Sequence, residues 1–323
     1  MITHFGINTR DHILNFQSEL HKRILTGHSK LDHRLSTENL GKNFGAFIYE
    51  KNEKRLLVLI DADDGSGGTT ADCKIIWSAY NNVLESYKPQ DVLVLKSQVN
   101  TDPEYNQFYP FKSDVHALGI FSNDPRTIQS TKKKLSQSDK DIDVFFAGGS
   151  KFAKLKPHAW PKNRDPKRWW PGASNRGYQV LNDIKSRRKD LNVQIFDQIL
   201  QPHEFYDYIS RSKICIDLPG IGLSSRKFYE YMVLEKCVLA LKQQITPWTC
   251  QENIHYSSMG YDLDFLSMER KIDELLLDDR WKELEKNVSE IQQELTMDFM
   301  IQRAINIIDT KVSSMTSQAL FIL

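Results

Sequence analysis

The chain has 323 residues and a mass of 37.5 kDa, which at about 100–200 residues per domain predicts two domains. Hydrophobic residues make up 40% and charged residues 26% of it, the proportions of a globular protein, which exclude fibrous and intrinsically disordered classes. Lys and Arg number 43 against 42 Asp and Glu. This balance excludes nucleic-acid binding through bulk charge, while a local basic patch stays compatible with it.

Cysteine spacing and hydropathy argue against several further classes of protein. The four cysteines stand far apart, with no C-x-x-C pair: Cys73, Cys215, Cys237 and Cys250. This spacing favours reduced thiols over a zinc site or a disulfide framework. No apolar run approaches the roughly 20 residues of a membrane span, and the first residues do not resemble a signal peptide. We therefore expect a cytoplasmic protein without a transmembrane segment.

The first half of the chain has the weaker pattern of secondary structure. An apolar run at residues 56–60 predicts a strand that ends at Asp61, residues 73–87 predict an amphipathic helix, and residues 91–95 predict a second strand. Residues 130–140 are polar and contain three consecutive lysines, which is typical of a linker with a solvated face.

The second half alternates between strands and helices. Apolar runs predict strands at residues 143–147, 193–196, 213–218 and 237–241, and amphipathic runs predict helices at 174–189, 202–212 and 224–235. Helical periodicity then extends from about 268 to 309. Strands that are apolar throughout and alternate with helices predict a parallel sheet covered on both faces. The sequence therefore predicts an α/β protein with a Rossmann-like domain from about residue 141.

The loop and helix after the strand at 213–218 combine several anion-binding features. Ser224 or Ser225 can cap the helix, whose first N–H groups and dipole favour an anion. Arg226 and Lys227 oppose that dipole unless an anion binds between them. Glu230 lies one turn further on the same face as Arg226 and can accept hydrogen bonds from ribose hydroxyls. An ordinary Arg–Glu pair on a solvent-exposed face explains this spacing equally well.

A resemblance to a known family favours the ligand-binding interpretation. Cys215-Ile216-Asp217-Leu218-Pro219-Gly220, followed by Ser224-Ser225-Arg226-Lys227-Phe228-Tyr229-Glu230 and Cys237-Val238-Leu239, resembles the donor-binding segment of GT-B glycosyltransferases. It is most similar to the exostosin-like branch and to the related group 1-like donor domains, in which a strand ending in Pro-Gly leads to a Ser-x-Arg helix. The segment that leads into this strand, residues 204–213, is also similar to the family. The resemblance extends over about residues 141–245.

The resemblance implies a fold and a separate binding role for each of two domains. The expected architecture is GT-B, in which two Rossmann-like domains face a cleft. Residues 1–140 would bind the acceptor and residues 141–323 the nucleotide-sugar donor, and the last helix would return to the first domain.

The resemblance also assigns residues to the donor. Arg226 falls near the diphosphate and Glu230 near the ribose. Gly148 and Gly149 look like the glycine turn that faces the phosphates, and Arg176 would be a second phosphate contact, unless it is simply a solvated residue at a helix start.

The catalytic base is less well defined. Many retaining members have a second glutamate eight positions before the ribose-binding one, where this chain has Gly222, so the sequence leaves stereochemistry open and leans towards inversion. An inverting enzyme needs a general base, and Asp61, Asp63 and Asp64 follow the strongest N-terminal strand on a glycine-rich loop. This acidic, glycine-rich sequence is also common in solvated turns. It lacks the glutamate that closes a calcium-binding loop. His116 is a second candidate.

Residues 151–172 interleave Lys, Arg and His with three tryptophans. Such a loop can bind a sugar, a phosphorylated acceptor or single-stranded nucleic acid, or its tryptophans pack on the domain while its lysines are solvated.

The sequence thus predicts a hexosyl- or pentosyltransferase that moves a sugar from a nucleotide-diphosphate-sugar to an acceptor hydroxyl on a glycan or glycoconjugate. No metal and no cofactor beyond the donor are expected, because fixed cations can stabilise the leaving diphosphate. Two alternatives stay open: transfer to a modified base in DNA, and a non-catalytic protein that binds nucleotide sugars.

Overall fold

The computed structural model describes residues 2–5, 20, 22–23, 29–32, 44–61, 91–96, 114–117, 132, 139–148, 170–198, 200–218, 226–242, 250–260 and 264–315. The chain divides into two compact units, each with its own sheet. The first comprises Met1–Phe121, Ile245–Pro247 and Met297–Leu323, and the second comprises Ser122–Gln244 and Trp248–Thr296.

The described strands and α-helices are numbered in chain order. They are β1 (Ile2–Phe5), β2 (Ser29–Asp32), β3 (Phe44–Lys51), β4 (Lys54–Asp61), β5 (Asp91–Lys96), β6 (Asp114–Ala117), β7 (Ile142–Ala147), α1 (Trp170–Arg187), β8 (Val193–Phe196), α2 (Pro202–Arg211), β9 (Ser212–Asp217), α3 (Arg226–Val233), β10 (Cys237–Ala240), β11 (Ser257–Ser258), α4 (Met268–Leu276), α5 (Arg280–Glu290) and α6 (Met297–Ser314). Two 3₁₀ turns, Leu277–Asp279 and Gln292–Leu295, flank α5.

The first unit has a mixed sheet with the strand order β2-β1-β3-β4-β5-β6. Strand β3 runs antiparallel to both β1 and β4, while β4, β5 and β6 are parallel. Asn52 and Glu53 join β3 to β4 with φ values of 52° and 63°, as a tight two-residue hairpin turn requires. The first sheet is therefore mixed, whereas the Rossmann-like domain that the resemblance implies for residues 1–140 would have a parallel sheet. The predicted helix at 73–87 lies outside the described residues.

Helix α6 comes from the end of the chain but belongs to the first unit, where it packs on β4 and β5. Its buried side chains recur at helical spacing and form one apolar face: Met300, Ile301, Ala304, Ile308 and Val312. Among the described helices, none is long and apolar enough to cross a membrane.

The second unit has a wholly parallel sheet with the strand order β11-β10-β9-β7-β8. Numbered from β7 as the first strand, this is the 2-1-3-4-5 order of doubly wound α/β proteins. The α/β class predicted from the sequence is confirmed, and the parallel sheet lies where the apolar runs predicted it.

Helices cover both faces of this second sheet. On one face, Val144, Phe146, Ile214 and Ile216 pack in the main apolar cluster together with side chains of α1, α4 and α5. On the other face, Phe145 stacks on Tyr208 of α2 at a centroid distance of 5.8 Å. Phe205 of α2 in turn lies 6.0 Å from Tyr231 of α3. Burial on both faces is the reason that these strands are apolar without alternation.

Candidate functional site

The strand order of the second unit marks one place for a ligand. Strand β7 continues through α1 to β8 on one side of the sheet, while β9 continues through α3 to β10 on the other. Connections that diverge from neighbouring strands leave a crevice at the carboxyl ends of those strands, which is where ligands bind in doubly wound sheets. Here the crevice lies beyond Ala147 of β7 and Asp217 of β9.

Lys227, in the first turn of α3, reaches this crevice. Its Nζ atom donates a hydrogen bond to the carbonyl oxygen of Ala147 at 2.8 Å. The same atom lies 4.9 Å from the centre of the Phe146 ring, within the range of a cation–π interaction. The half-buried Lys227 side chain therefore holds its ammonium group at the carboxyl end of β7.

The electrostatic surroundings of Lys227 act in opposite directions. Burial, the largest effect, lowers the pKa of Lys227, whereas the carboxylates of Asp217 and Glu230 raise it. Asp217 is only 2% exposed, and a buried carboxylate is costly unless a positive charge or hydrogen bonds compensate it. The crevice thus has a cation in surroundings of low polarity, where attraction to an anion is stronger than in water.

Gly148 is a glycine because the space beside it is occupied. A Cβ atom at this position would lie 2.8 Å from Cζ of Phe146 and 2.9 Å from Nζ of Lys227. The backbone N–H of Gly148 donates to the carbonyl oxygen of Phe196 at 2.9 Å, so it extends the pairing of β7 with β8. The geometry indicates that Gly148 makes room for the Lys227 ammonium group. The predicted phosphate turn stays a prediction, and Gly149 lies outside the described residues.

Helix α3 brings Lys227 and Glu230 onto one face, three residues apart. The half-buried Glu230 interacts electrostatically with Lys227. Arg226 is the first residue of α3, and its side chain lies outside the described set, as do Ser224 and Ser225. Their assigned roles therefore remain predictions.

Arg176 lies near the same end of the second sheet. Its Nε atom is 3.3 Å from an oxygen of Asp264. The next residue, Gly177, is so close to the end of β9 that a Cβ atom there would lie 2.7 Å from Leu218 and 3.2 Å from Phe265. Leu218 directly follows Asp217, so α1 carries Arg176 close to the crevice, where its predicted contact with phosphate is still a prediction.

The predicted catalytic carboxylates belong to the first unit. Asp61 is the last residue of β4, paired with Lys96 at the end of β5 and with Phe44 of β3. Asp63 and Asp64 lie outside the described residues. His116 is half-buried within β6, opposite Leu95, rather than on a loop at the end of the strand.

Three residues in or near the crevice carry no prediction from the sequence. Asp217 ends an otherwise apolar strand, and that break in the pattern was a usable signal. For Phe146 the apolar pattern predicts a buried strand residue and gives no sign of the contact of its ring with Lys227. Tyr231, four residues after Lys227, is fully buried, and its hydroxyl has no hydrogen-bond partner among the described residues. In the same parts of the chain, no group of three or more His, Cys, Asp or Glu side chains could hold a metal ion.

No protein-family model and no curated protein sequence matches the chain. Several solved structures do resemble it. Sucrose-phosphate synthase from Thermosynechococcus elongatus is 14% identical with a TM-score of 0.44, over 74% of this chain and 62% of that one. The pneumococcal O-GlcNAc transferase GtfA, solved with UDP and GlcNAc, is 10% identical with a TM-score of 0.38, over 84% and 71%. A glycosyltransferase from Rickettsia africae is 14% identical with a TM-score of 0.38, over 73% and 68%.

The chain thus spans less than two thirds of the length of the synthase. All three TM-scores lie below 0.5, so the assignment of the fold rests on the strand order and the helix positions described above.

Proposed function

We propose that the chain is a GT-B glycosyltransferase that moves a sugar from a nucleotide-diphosphate-sugar to an acceptor hydroxyl on a glycan or glycoconjugate. The observation that carries this proposal is the Lys227 ammonium group at the crevice between β7 and β9, with Glu230 on the same helix face. A cation beside a carboxylate at that position suits a ligand with a diphosphate and a ribose, as the sequence resemblance also implies.

In the proposed complex, the diphosphate meets Lys227 and the first turn of α3. An ammonium group has three N–H bonds, and the described residues engage one of them, through Ala147. The N-terminal end of a helix also favours phosphate through its N–H groups and its dipole. Arg226 adds charge there, and Glu230 accepts hydrogen bonds from the ribose hydroxyls.

The proposed reaction is a substitution at the anomeric carbon of the donor sugar. The acceptor oxygen forms a bond to that carbon while the bond to the diphosphate oxygen breaks, and the electron pair stays on the diphosphate. Lys227 and Arg226 stabilise this charge as it develops, and for that reason we propose a reaction without a metal ion. The acceptor proton passes to a general base, for which Asp61, Asp63 and Asp64 are the candidates, and Gly222 favours inversion.

A thermal-shift screen with UDP, GDP, ADP, dTDP and CDP and their sugar conjugates tests the donor pocket. At 100 times its dissociation constant, a ligand stabilises the folded state by about 2.7 kcal/mol, which is a shift of a few degrees at this chain length. We expect one nucleotide to shift the wild-type protein. Lys227→Met and Glu230→Gln should reduce that shift, whereas the control Lys189→Met, at an exposed lysine of the same unit, should keep it.

Other outcomes decide against the proposal. If a folded sample shows no shift in melting temperature with any nucleotide, the proposed binding of a nucleotide-sugar donor is wrong. A shift without transfer or hydrolysis of the sugar would favour a binding protein that has no catalytic activity. Binding of duplex DNA that weakens steeply between 50 and 200 mM salt would favour an acceptor in DNA.

A further inference from the structure

Asp217 is a buried carboxylate with no assigned role in the donor pocket. It is 2% exposed and ends β9. The pairing of Ile142 with Ser212 and of Phe145 with Cys215, continued by two residues, puts Asp217 beside Ala147. The Ala147 carbonyl is the group that accepts the Lys227 hydrogen bond, so Asp217 lies one strand away from the Lys227 anchor, about 4.8 Å in the direction of strand pairing.

We propose that Asp217 is a positioning residue, whose buried carboxylate keeps the Lys227 side chain charged and held over the ends of β7 and β9. This inference rests on the proposed function, because the diphosphate that meets Lys227 is that of the proposed donor. With 2% of its surface exposed, Asp217 has almost no surface to offer a ligand. It acts through Lys227.

The groups around Lys227 show why a buried charge is needed. From β7, Lys227 meets only neutral groups, the Ala147 carbonyl and the Phe146 ring. The carboxylates of Asp217, on β9, and of Glu230, on its own helix, both favour its charged form. Tyr231 stays neutral, because burial raises its pKa. Burial itself lowers the pKa of Lys227, so among the described residues these two carboxylates are the groups that favour the charged form.

Asp217 and Glu230 differ in how strongly they stabilise the charge of Lys227. Glu230 is half-buried, so solvent screens part of its interaction with Lys227, and it is also the proposed ribose ligand. Asp217 is buried, and buried charges are screened much less than exposed ones. When Glu230 is engaged by a ribose, Asp217 remains as the carboxylate that supports the Lys227 charge.

The test is isothermal titration of inorganic pyrophosphate into wild-type protein and Asp217→Asn between pH 7 and pH 10. The ratio of the two affinities at each pH cancels the titration of the ligand itself. Loss of a nearby opposite charge lowers the pKa of a lysine by about 1–3 units. We therefore expect equal or tighter binding by Asp217→Asn at pH 7, because a negative charge near the anion is gone, and binding at least tenfold weaker than wild type near pH 9.

Control variants separate this role from a structural one. Asp183 is an exposed carboxylate of the same unit, paired with Arg187, and Asp183→Asn should follow the wild-type curve. Asp217→Glu keeps the charge and should restore the wild-type pH profile. A loss of the same size at every pH in Asp217→Asn, or no change at any pH, would overturn the proposal.

A second measurement does not depend on binding. Trace acetylation of the Lys227 amine, followed by peptide mass spectrometry as a function of pH, reports its protonation directly. The midpoint should lie lower in Asp217→Asn than in wild type, and equal midpoints would contradict the proposal. If wild type fails to bind pyrophosphate, the proposed function fails, and the labelling result still decides whether Asp217 governs the charge of Lys227.

Discussion

At the scale of single residues, the crevice depends on how closely Gly148, Phe146 and Lys227 pack. The lysine crosses the end of β7 because one side of that strand carries an aromatic ring and the next residue has no side chain. The position of the ammonium group is therefore set by volume as much as by charge.

Gly148→Ala should displace the Lys227 ammonium group. The new methyl group would lie within 3.0 Å of both Phe146 and Lys227, and overpacking of this kind costs about 1–3 kcal/mol of stability. The end of the Lys227 side chain is more flexible than the Phe146 ring, so we expect the ammonium group to move. The affinity for pyrophosphate should then fall about tenfold or more. Isothermal titration measures the affinity, and urea denaturation measures the stability.

Gly260→Ala is the matched control for this prediction. Gly260 lies in the same unit with a φ of +68°, and a Cβ atom there would meet no heavy atom within 4 Å. Alanine is strained at positive φ, so this variant should lose about 1 kcal/mol of stability and keep its affinity for pyrophosphate. Equal affinities in Gly148→Ala and Gly260→Ala would show that Gly148 does not position Lys227.

At the scale of elements, helix α6 is held to the first sheet by one apolar face and by several polar contacts at its end. Lys51 and Tyr49 of β3 donate to Asp309 at 2.9 and 3.4 Å. Lys54 of β4 donates to the Val312 carbonyl at 3.1 Å, in the last turn, where helix carbonyls lack partners. The Lys51–Asp309 pair is nearly half exposed, and exposed ion pairs contribute about 0–1 kcal/mol. The apolar face is therefore the main anchor.

Ile308→Ala tests this assignment. Ile308 is 1% exposed, and removal of a buried isoleucine side chain costs about 2–5 kcal/mol, through lost burial and the cavity that remains. Thr310→Ala, on the exposed face of the same helix, should stay within about 0.5 kcal/mol of wild type. Urea denaturation measures both. If the two variants lose equal stability, α6 is not anchored through its apolar face.

At the scale of the whole molecule, one cluster joins several elements of the second unit and affects the response to pH. The Lys140 and Lys236 ammonium groups share one oxygen of Glu285, on α5, at 3.3 and 3.1 Å. Lys140 also donates to the carbonyl of Ser212, the first residue of β9, at 2.8 Å. Burial and the neighbouring Lys236 charge lower the pKa of Lys140 to about 8, whereas the pKa of Lys236 is raised. Two ammonium groups on one carboxylate cannot be equally stabilised, and Lys140 loses its proton first.

The contribution of Lys140 to the free energy of unfolding should therefore rise between about pH 8 and pH 10.5. In that window Lys140 binds more protons in the unfolded chain, where it has its ordinary pKa, than in the folded chain, so its contribution to stability increases with pH. The raised pKa of Lys236 takes effect only above that window. Burial raises the pKa values of the Cys215 and Cys237 thiols, so these groups act in the opposite direction above about pH 9, but they are common to wild type and Lys140→Met. We expect the difference in the free energy of unfolding between wild type and Lys140→Met to change by about 2 kcal/mol, measured by urea denaturation from pH 7 to pH 10. Lys189→Met, at an exposed lysine, should follow the wild-type profile. A difference between wild type and Lys140→Met that stays constant with pH would contradict this assignment.

The accuracy of the sequence-based prediction differs between the two units, for a physical reason. Every strand predicted in the second half appears within one or two residues of its predicted bounds, because strands buried on both faces are apolar throughout. In the first unit, β1, β2, β3 and β6 were missed, although Asn52 before Glu53 was a usable turn signal for the hairpin of β3 and β4. The predicted helical run at 268–309 is three helices. Asp278 and Asp279 adopt positive φ between α4 and α5, and the 3₁₀ turn Gln292–Leu295 separates α5 from α6. Hydrophobic periodicity does not detect such a break.

The sequence by itself determined the α/β class, the order of strands and helices in the second half, and the charged first turn of α3, since these depend on local pattern and composition. Only the tertiary structure decided that β7 and β9 are neighbours, that Lys227 crosses the end of β7 over Phe146, and that Asp217 is buried at the end of β9. Each of these facts depends on which strands pair and how closely side chains pack between them. Contacts between residues 70 or 80 positions apart leave no periodic trace in a single sequence.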